Sequence, residues 1–534
     1  MAAGRLAAAW RALGPWQRRG AQAGGAAAGL AGLGLGTAAL GLDDTALAED
    51  LKALPRTFPR CAGLLYTWGT IARDYRRLSL RHDVAGDAEA AERSQELSRT
   101  HTKCARRLLR LCRANGGIYV KAGQLASMHT SVPPEYQDVL SALQDTAKPR
   151  RFRHVRRVIR RAFGEPVDRV FADFAREPAA CASIAQVHRA RLRDGTEVAV
   201  KVQHAGIATQ IHADLLAFKL VARLAALLFP EKRTDESYGW LIPELEGTLE
   251  HELDFSREAA NCKKVRLLTE HPQVTTPAVY EELSTDTVLT MEWVDGCKVT
   301  DREAIRGLGL AYREVVRVMT EMYNEMIFIH GFLHADAHPG NFLVRAKADG
   351  QGRPQPEVVL LDHGLYFQLA PEVQRNYSTL WMALVSGDRK GAAEVSKRVA
   401  GEAAAKVLPA VLHPQQLGQP ALSPAHRRRL RREAGIGSPR ALSTFLGTLP
   451  LDLIQAYRSQ ALTKNLASRA GWGNGSWLRA TARYAQRGLM QAGEQAPSLL
   501  QRLRISFSIV RLELWLLCLE GFSACGYWVR GLAQ

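Results

Sequence analysis

The stretch Phe332 to Val344, FLHADAHPGNFLV, admits few folds, because it sets a Pro-Gly turn between apolar flanks and loads that turn with His334, Asp336, His338 and Asn341. Pro339 and Gly340 alone would suit any solvated turn between two buried segments. The polar residues ask for more. Asp336 and Asn341 stand five positions apart, and the apolar run VVLL ends at Asp362, followed by His363 and Gly364. A buried strand that ends in an aspartate and a glycine presents a carboxylate at its tip, where it can share a divalent cation with the Asn341 amide.

That spacing matches the H-R-D-x-x-x-x-N loop of phosphoryl-transfer enzymes, and the other parts of such a centre occur in chain order. VAVK ends in Lys201 on a predicted strand whose flanks Val198, Val200 and Val202 read as buried, the context for a lysine on nucleotide phosphates. Glu258, on a predicted helix within ELDFSREAAN, is the candidate carboxylate to hold that lysine. LTMEWVDG reads as a strand running into a hinge, where main-chain groups from Glu292 to Val294 would face an adenine. Each feature alone has a bland counterpart: a strand-edge lysine, a surface glutamate, an ordinary loop. Their order along one chain points to Mg²⁺ and ATP, with Asp336 beside the nucleophile and Asn341 and Asp362 on the metal. One part departs. No G-x-G-x-x-G precedes Lys201; AACASIAQVH stands there instead, with Ala180, Cys181, Ala182 and Ser183 where glycines would let amides approach phosphates.

The balance of charge is consistent with an anionic ligand. Lys and Arg number 71 against 53 Asp and Glu, a net +18, which favours nucleotide phosphate, acidic lipid or nucleic acid without choosing among them. The run KPRRFRHVRRVIRR places Val155, Val158 and Ile159 on one helical face and arginines on the other, either a solvated face or one that meets anionic headgroups. Phe152 is the one aromatic among these arginines, so nucleic acid is not expected as a partner. Eight scattered cysteines without C-x-x-C or paired-histidine spacing read as reduced thiols.

The chain begins with Arg5, Arg11, Arg18 and Arg19 and has no acid before Asp43, the Arg-rich, acid-poor pattern of a mitochondrial leader, with a plastid or secretory signal as the alternatives. Ala23 to Leu42 are uncharged, either a bilayer span or part of the leader. The expected organisation is a leader, with or without a membrane segment, at 1–42, a helical extension at 43–165, an N-lobe at 166–296 and a C-lobe at 297–412. A flexible basic insert at 413–439 and a helical region at 440–534 follow.

These motifs resemble one family, the AarF-domain or UbiB-like atypical kinases, over roughly Thr100 to Trp381. The most specific element is KAGQ, Lys121 to Gln124, which matches the family's K-x-G-Q signature. Its E-x-D signature falls on Glu252 and Asp254, its alanine-rich loop on Ala180 to Ser183, and its H-x-D-x-H-P-G-N loop on His334 to Asn341. The resemblance implies an α+β, bilobal protein-kinase-like fold whose K-x-G-Q extension covers the site where a protein substrate would dock, with Lys121 facing Glu252 and Asp254. It implies an ATPase or a small-molecule or lipid kinase, and a mitochondrial, inner-membrane-associated role in lipid or quinone-related homeostasis. Two departures are Ala337, where the family has proline, and Cys181.

Two functions follow. One is an Mg-ATP-dependent enzyme, which the joint presence of Lys201, Asp336, Asn341 and Asp362 favours; the other is a nucleotide-binding membrane scaffold in which turnover does not matter, which the altered phosphate loop and the extension keep open. An aminoglycoside-phosphotransferase-like enzyme shares the H-x-D-x-H-x-x-N loop, and KAGQ argues against it.

Overall fold

The seven residues Glu197–Gln203 alternate in a way that decides where Lys201 points. Val198, Val200 and Val202 are fully buried on one face of this strand, so Ala199, Lys201 and Gln203 lie on the other. The computed structural model describes residues 44–82, 90–128, 132–143, 149–228, 241–335, 338–412, 449–472 and 474–491, with scattered positions between 429 and 511. The expected leader, the uncharged stretch at 23–42 and most of the basic insert lie outside the described residues. Among those described, no helix is long and apolar enough to cross a membrane.

The chain divides into two compact units, residues 1–256 with 280–291, and residues 257–279 with 292–534. The first opens with helices α1 (Asp44–His82), α2 (Ala90–Asn115), α3 (Ile118–Met128), α4 (Pro134–Leu140) and α5 (Phe152–Phe163). Strands β1 (Asp173–Phe174), β2 (Ala180–Cys181), β3 (Ala185–Arg191) and β4 (Glu197–Gln203) follow, then α6 (Ile207–Leu228) and α7 (Leu241–Glu252). β3 and β4 form an antiparallel hairpin whose turn needs Gly195, at φ 91°. β1 and β2 both pair antiparallel with β3. Helix α8 (Phe255–Leu268) carries the chain from the first unit into the second; β5 (Val274–Thr275) belongs to the second, and β6 (Val288–Glu292) joins the first sheet in the order β1-β3-β4-β6. The core of this sheet is the β4 valines against Val155 and Ile159 of α5, with Val167, Phe171 and Val288 around them.

An ion pair organises the helices of the first unit. Arg60 of α1 reaches fully buried Asp214 of α6, with Nε–Oδ1 at 2.8 Å, and also donates to the Asn115 carbonyl at the end of α2. Its guanidinium stands 5.0 Å from the Tyr119 ring of α3. Gly123 of α3 packs closely enough that a Cβ there would displace the end of the Leu143 side chain.

The second unit continues with β7 (Cys297–Lys298), α9 (Tyr312–Glu325), a π-helical turn at Met326–His330, β8 (Phe332–His334), β9 (Phe342–Ala348), β10 (Pro354–Leu360) and β11 (Tyr366–Gln368). Helices α10 (Pro371–Ser386), α11 (Arg389–Leu412), α12 (Leu451–Arg469) and α13 (Asn474–Met490) complete it. Its strands form one sheet in the order β5-β10-β9-β7 and a separate β11-β8 pair. α9 is buried against α12, α13 and β10, with Val315, Val316, Val318, Met319 and Tyr323 fully enclosed. Trp381 and Trp477 meet edge to face at 5.8 Å. Gly488 lets α13 approach the main chain at Phe328 more closely than any side chain would allow.

Candidate nucleotide and metal site

In the second unit the β9–β10 hairpin brings Asn341 beside Asp362. Phe342 pairs with Leu360, and one step further the Leu361 N–H donates to the Asn341 carbonyl at 2.9 Å. The turn that leads in is built locally. Pro339 starts a short 3-10 turn, Asn341 N–H donates to the His338 carbonyl at 3.0 Å, and Gly340 N–H donates to His338 Nδ1 at 3.0 Å. A Cβ on Gly340 would stand 2.8 Å from that nitrogen, so the glycine is needed for the approach. Asp336 and Ala337 lie outside the described residues.

The Asp362 segment is clamped from several directions. Its own Oδ1 accepts from Gly364 N–H at 2.9 Å, and its carbonyl accepts from buried His334 Nε2 at 2.9 Å. His363 next to it is held at both ring nitrogens: Nε2 donates to the Leu360 carbonyl at 3.0 Å, and Nδ1 is hydrogen-bonded to Tyr366 Oη at 2.9 Å. The Tyr366 ring lies stacked on His363 and edge-on to His334. Burial drives the Tyr366 hydroxyl well above its usual range, so it stays protonated.

Glu258, in the first turn of α8, is 3 % exposed, and its carboxylate accepts from the His363 N–H at 3.5 Å. One helical turn on, Asn261 Nδ2 donates to the His363 carbonyl at 3.0 Å. Sequence reasoning passed over Asn261 and His363. The available signal was the spacing of Glu258 and Asn261, which puts both on one helix face.

The hinge segment is partly committed. Glu292 N–H donates to the Ala278 carbonyl at 2.8 Å, while its carboxylate accepts from Ala278 N–H at 3.2 Å and pairs with Arg345 at 3.5 Å. The expectation that main-chain groups from Glu292 onward face an adenine therefore does not extend to the Glu292 N–H. Val294 is 9 % exposed in the irregular stretch between β6 and β7, where Gly296 passes within 2.9 Å, at its Cβ position, of the Val344 carbonyl.

The first unit gathers the remaining candidates. Lys201 is 9 % exposed, and its ammonium lies 5.2 Å from the centre of the Phe255 ring. Gln203, on the same strand face, donates to the Leu253 carbonyl at 2.9 Å, which ties the Glu252–Asp254 turn to β4. Asp254 Oδ1 accepts from Ser256 N–H at 2.9 Å at the start of α8. Lys121 of α3 forms an ion pair with Glu252, and Gln124, one turn along, donates to the Leu143 carbonyl at 3.1 Å. So the two KAGQ polar side chains have different partners.

Ala180 and Cys181 pair with Val187 and Gln186, and the Ala182 N–H turns inward to the Ala185 carbonyl at 2.8 Å. The loop is thus a tight β2–β3 hairpin with Ser183 at its bend. His204, whose N–H bonds the Ile184 carbonyl at 2.7 Å, sets its ring against the Ala182 main chain. Burial first, and the Arg150 charge second, pull the His204 imidazole down to about 4. Cys181 is held above the usual thiol range by burial.

Asn341 and Asp362 offer hard oxygen donors, which suit Mg²⁺ rather than a soft metal. Among the described residues no group of three His, Cys, Asp or Glu is placed to hold a metal.

Residues 142–396 match the ABC1 atypical kinase-like domain. The AarF domain-containing protein kinase 1 of Xenopus tropicalis is 34 % identical over 500 residues, covering 89 % of this chain and 92 % of that protein. The chain belongs to the ABC1/AarF atypical kinase-like family. The mouse AarF domain-containing protein kinase 1 is likewise 34 % identical, covering 83 % of this chain and 84 % of its own. Among solved structures, the Mycobacterium tuberculosis Rv3197–erythromycin complex is similar at 21 % identity and TM-score 0.44, over 71 % of this chain and 94 % of that one. In this ABC1-family chain the fold is α+β and kinase-like, and the K-x-G-Q and E-x-D signatures meet through Lys121 and Glu252.

Proposed function

We propose that this chain binds Mg-ATP and hydrolyses it or passes its terminal phosphate to a small-molecule or lipid acceptor. The observation that carries the reading is the main-chain bond from Leu361 N–H to the Asn341 carbonyl, which sets the Asn341 and Asp362 backbones side by side, while His334 bonds the Asp362 carbonyl and Asn261 and Glu258 bond the His363 main chain. Asn341 and Asp362 would hold the metal, which when bound offsets the phosphate charge. Lys201 and Glu258 set the nucleotide phosphates, and Asp336 orients the attacking hydroxyl or water by its place five residues before Asn341. The β2–β3 hairpin, with its Ala182 amide already bonded, supports the second reading of a nucleotide-binding scaffold with weak turnover.

The setting proposed is the mitochondrion, associated with the inner membrane, in lipid or quinone-related homeostasis. Its support is the acid-free, arginine-bearing start of the chain and the net charge of +18. Mg-dependent ATP turnover by the purified chain tests the enzymatic reading. Asp336→Asn is expected to remove turnover and keep nucleotide binding, whereas Asp362→Asn is expected to remove the Mg-dependent part of the thermal shift by ATP. Wild-type turnover in Asp336→Asn would discard the role given to that residue. A fluorescent fusion lacking residues 2–20 should stay in the cytosol; continued import refutes the leader.

A further inference from the structure

Helix α5 leaves one face uncompensated. Its apolar side, Val155 and Ile159 with Phe152 and Val158 beside them, is spent on the β4 valines. The outward side carries Arg151 at the N-cap and Arg153, Arg156, Arg157, Arg160 and Arg161, all exposed. Among the described residues none of these six side chains meets a carboxylate or a hydrogen-bond acceptor. The next acids in sequence, Glu165 and Asp168, come after the Gly164 cap, which ends the helix at φ 75°. Arg153, Arg157 and Arg161 follow one another at four-residue spacing, as do Arg156 and Arg160, and like charges at that spacing weaken a helix. No acid sits in the first turn to offset Arg153 at the positive end of the helix dipole. The apolar packing holds this array together, and its unbalanced charge is available for an outside partner.

The chemistry of the face narrows the partner. Its exposed side chains are all guanidinium groups, with His154 and Phe152 only half-buried beside them, so it has no exposed aromatic to stack on bases and no amide or hydroxyl to read base edges. It also lacks an exposed apolar anchor of the kind that centres a protein interface. A bilayer rich in anionic headgroups requires neither. Because Val198, Val200 and Val202 point to α5, Lys201 lies on the far face of the sheet, so contact through α5 leaves the nucleotide lysine unobstructed. We propose that the arginine face of α5 docks this chain on an anionic lipid surface by headgroup phosphate contacts without insertion. This deepens the membrane part of the proposed function and rests on it.

The test uses the full chain and sedimentation with vesicles of neutral phosphatidylcholine or of phosphatidylcholine containing an anionic phospholipid, at low and high salt. The anionic vesicles should retain more protein than the neutral ones, and high salt should erase the difference. Arg153→Gln/Arg157→Gln/Arg161→Gln should reduce the anionic increment roughly a hundredfold, at about fivefold per charge. The matching lysine triple variant should restore it, which separates charge from damage to the fold. Equal increments in wild type and the glutamine variant overturn the proposal. So does tight binding of a DNA duplex by wild type together with no response to anionic vesicles. ATP turnover in the same samples reports separately on the enzymatic reading: loss of turnover with vesicle binding intact counts against the enzyme, and the reverse counts against the docking face.

Discussion

Lys121 of α3 and Glu252 at the end of α7 form an ion pair whose side chains are 15 % and 13 % exposed. Lys121→Ala leaves the carboxylate partly buried without this partner. We expect a loss of about 2 kcal/mol in urea unfolding, below the ~3 to 5 kcal/mol of a fully buried pair because water still reaches both groups. Glu252→Ala in the same background should recover part of it. The same Lys121 variant should alter the ratio of ATP to ADP affinity, since Gln203 ties the Glu252 turn to the strand of Lys201. An unchanged ratio would make the pair purely structural.

The Arg60–Asp214 pair is buried more deeply, with side chains 12 % and 0 % exposed. Burial raises the Asp214 pKa even with Arg60 beside it. Arg60→Met should therefore cost about 3 to 5 kcal/mol, while Arg60→Met/Asp214→Leu should lie much nearer wild type, because no lone charge remains inside. Chemical denaturation of both variants decides this. A double variant as unstable as the single one would mean that the bonds of Arg60 to Asn115 and Tyr119 dominate.

His204 makes the first unit acid-sensitive. Its folded value near 4 lies below the 6.5 of an exposed histidine, so above 6.5 both states are neutral and it contributes no pH dependence. As pH falls from 6.5 towards 4 the unfolded chain takes up a proton that the folded one refuses, and up to about 3 kcal/mol of stability is lost. His204→Gln should flatten the stability profile in that window. A profile as steep as wild type would assign the acid sensitivity to other groups.

Asn261 acts through the main chain of His363, next to Asp362. Asn261→Ala should weaken Mg²⁺ affinity by roughly tenfold, as loss of an outer-shell partner does. A magnesium titration at saturating ATP, followed by thermal shift, separates this from general destabilisation. Lower melting temperature with unchanged magnesium dependence would reduce Asn261 to a packing role.

The elements and their chemistry are legible in short stretches of sequence. The alternation of Val198, Val200 and Val202, the apolar stripe through Val155 and Ile159, and the Pro339-Gly340 turn are properties of neighbouring residues, so strand, helix and turn follow from local stereochemistry. Lys201, Asn341 and Asp362 were legible as candidates from the order of their motifs along the chain. Tertiary structure alone decided the partners. No local pattern announces that Arg60 meets Asp214, that Asn261 holds the His363 carbonyl, that His334 holds Asp362, or that Ala278 occupies the Glu292 N–H. Those pairings join residues far apart in sequence, and they exist because burial leaves each polar group only the acceptor or charge that the folded chain path brings within reach.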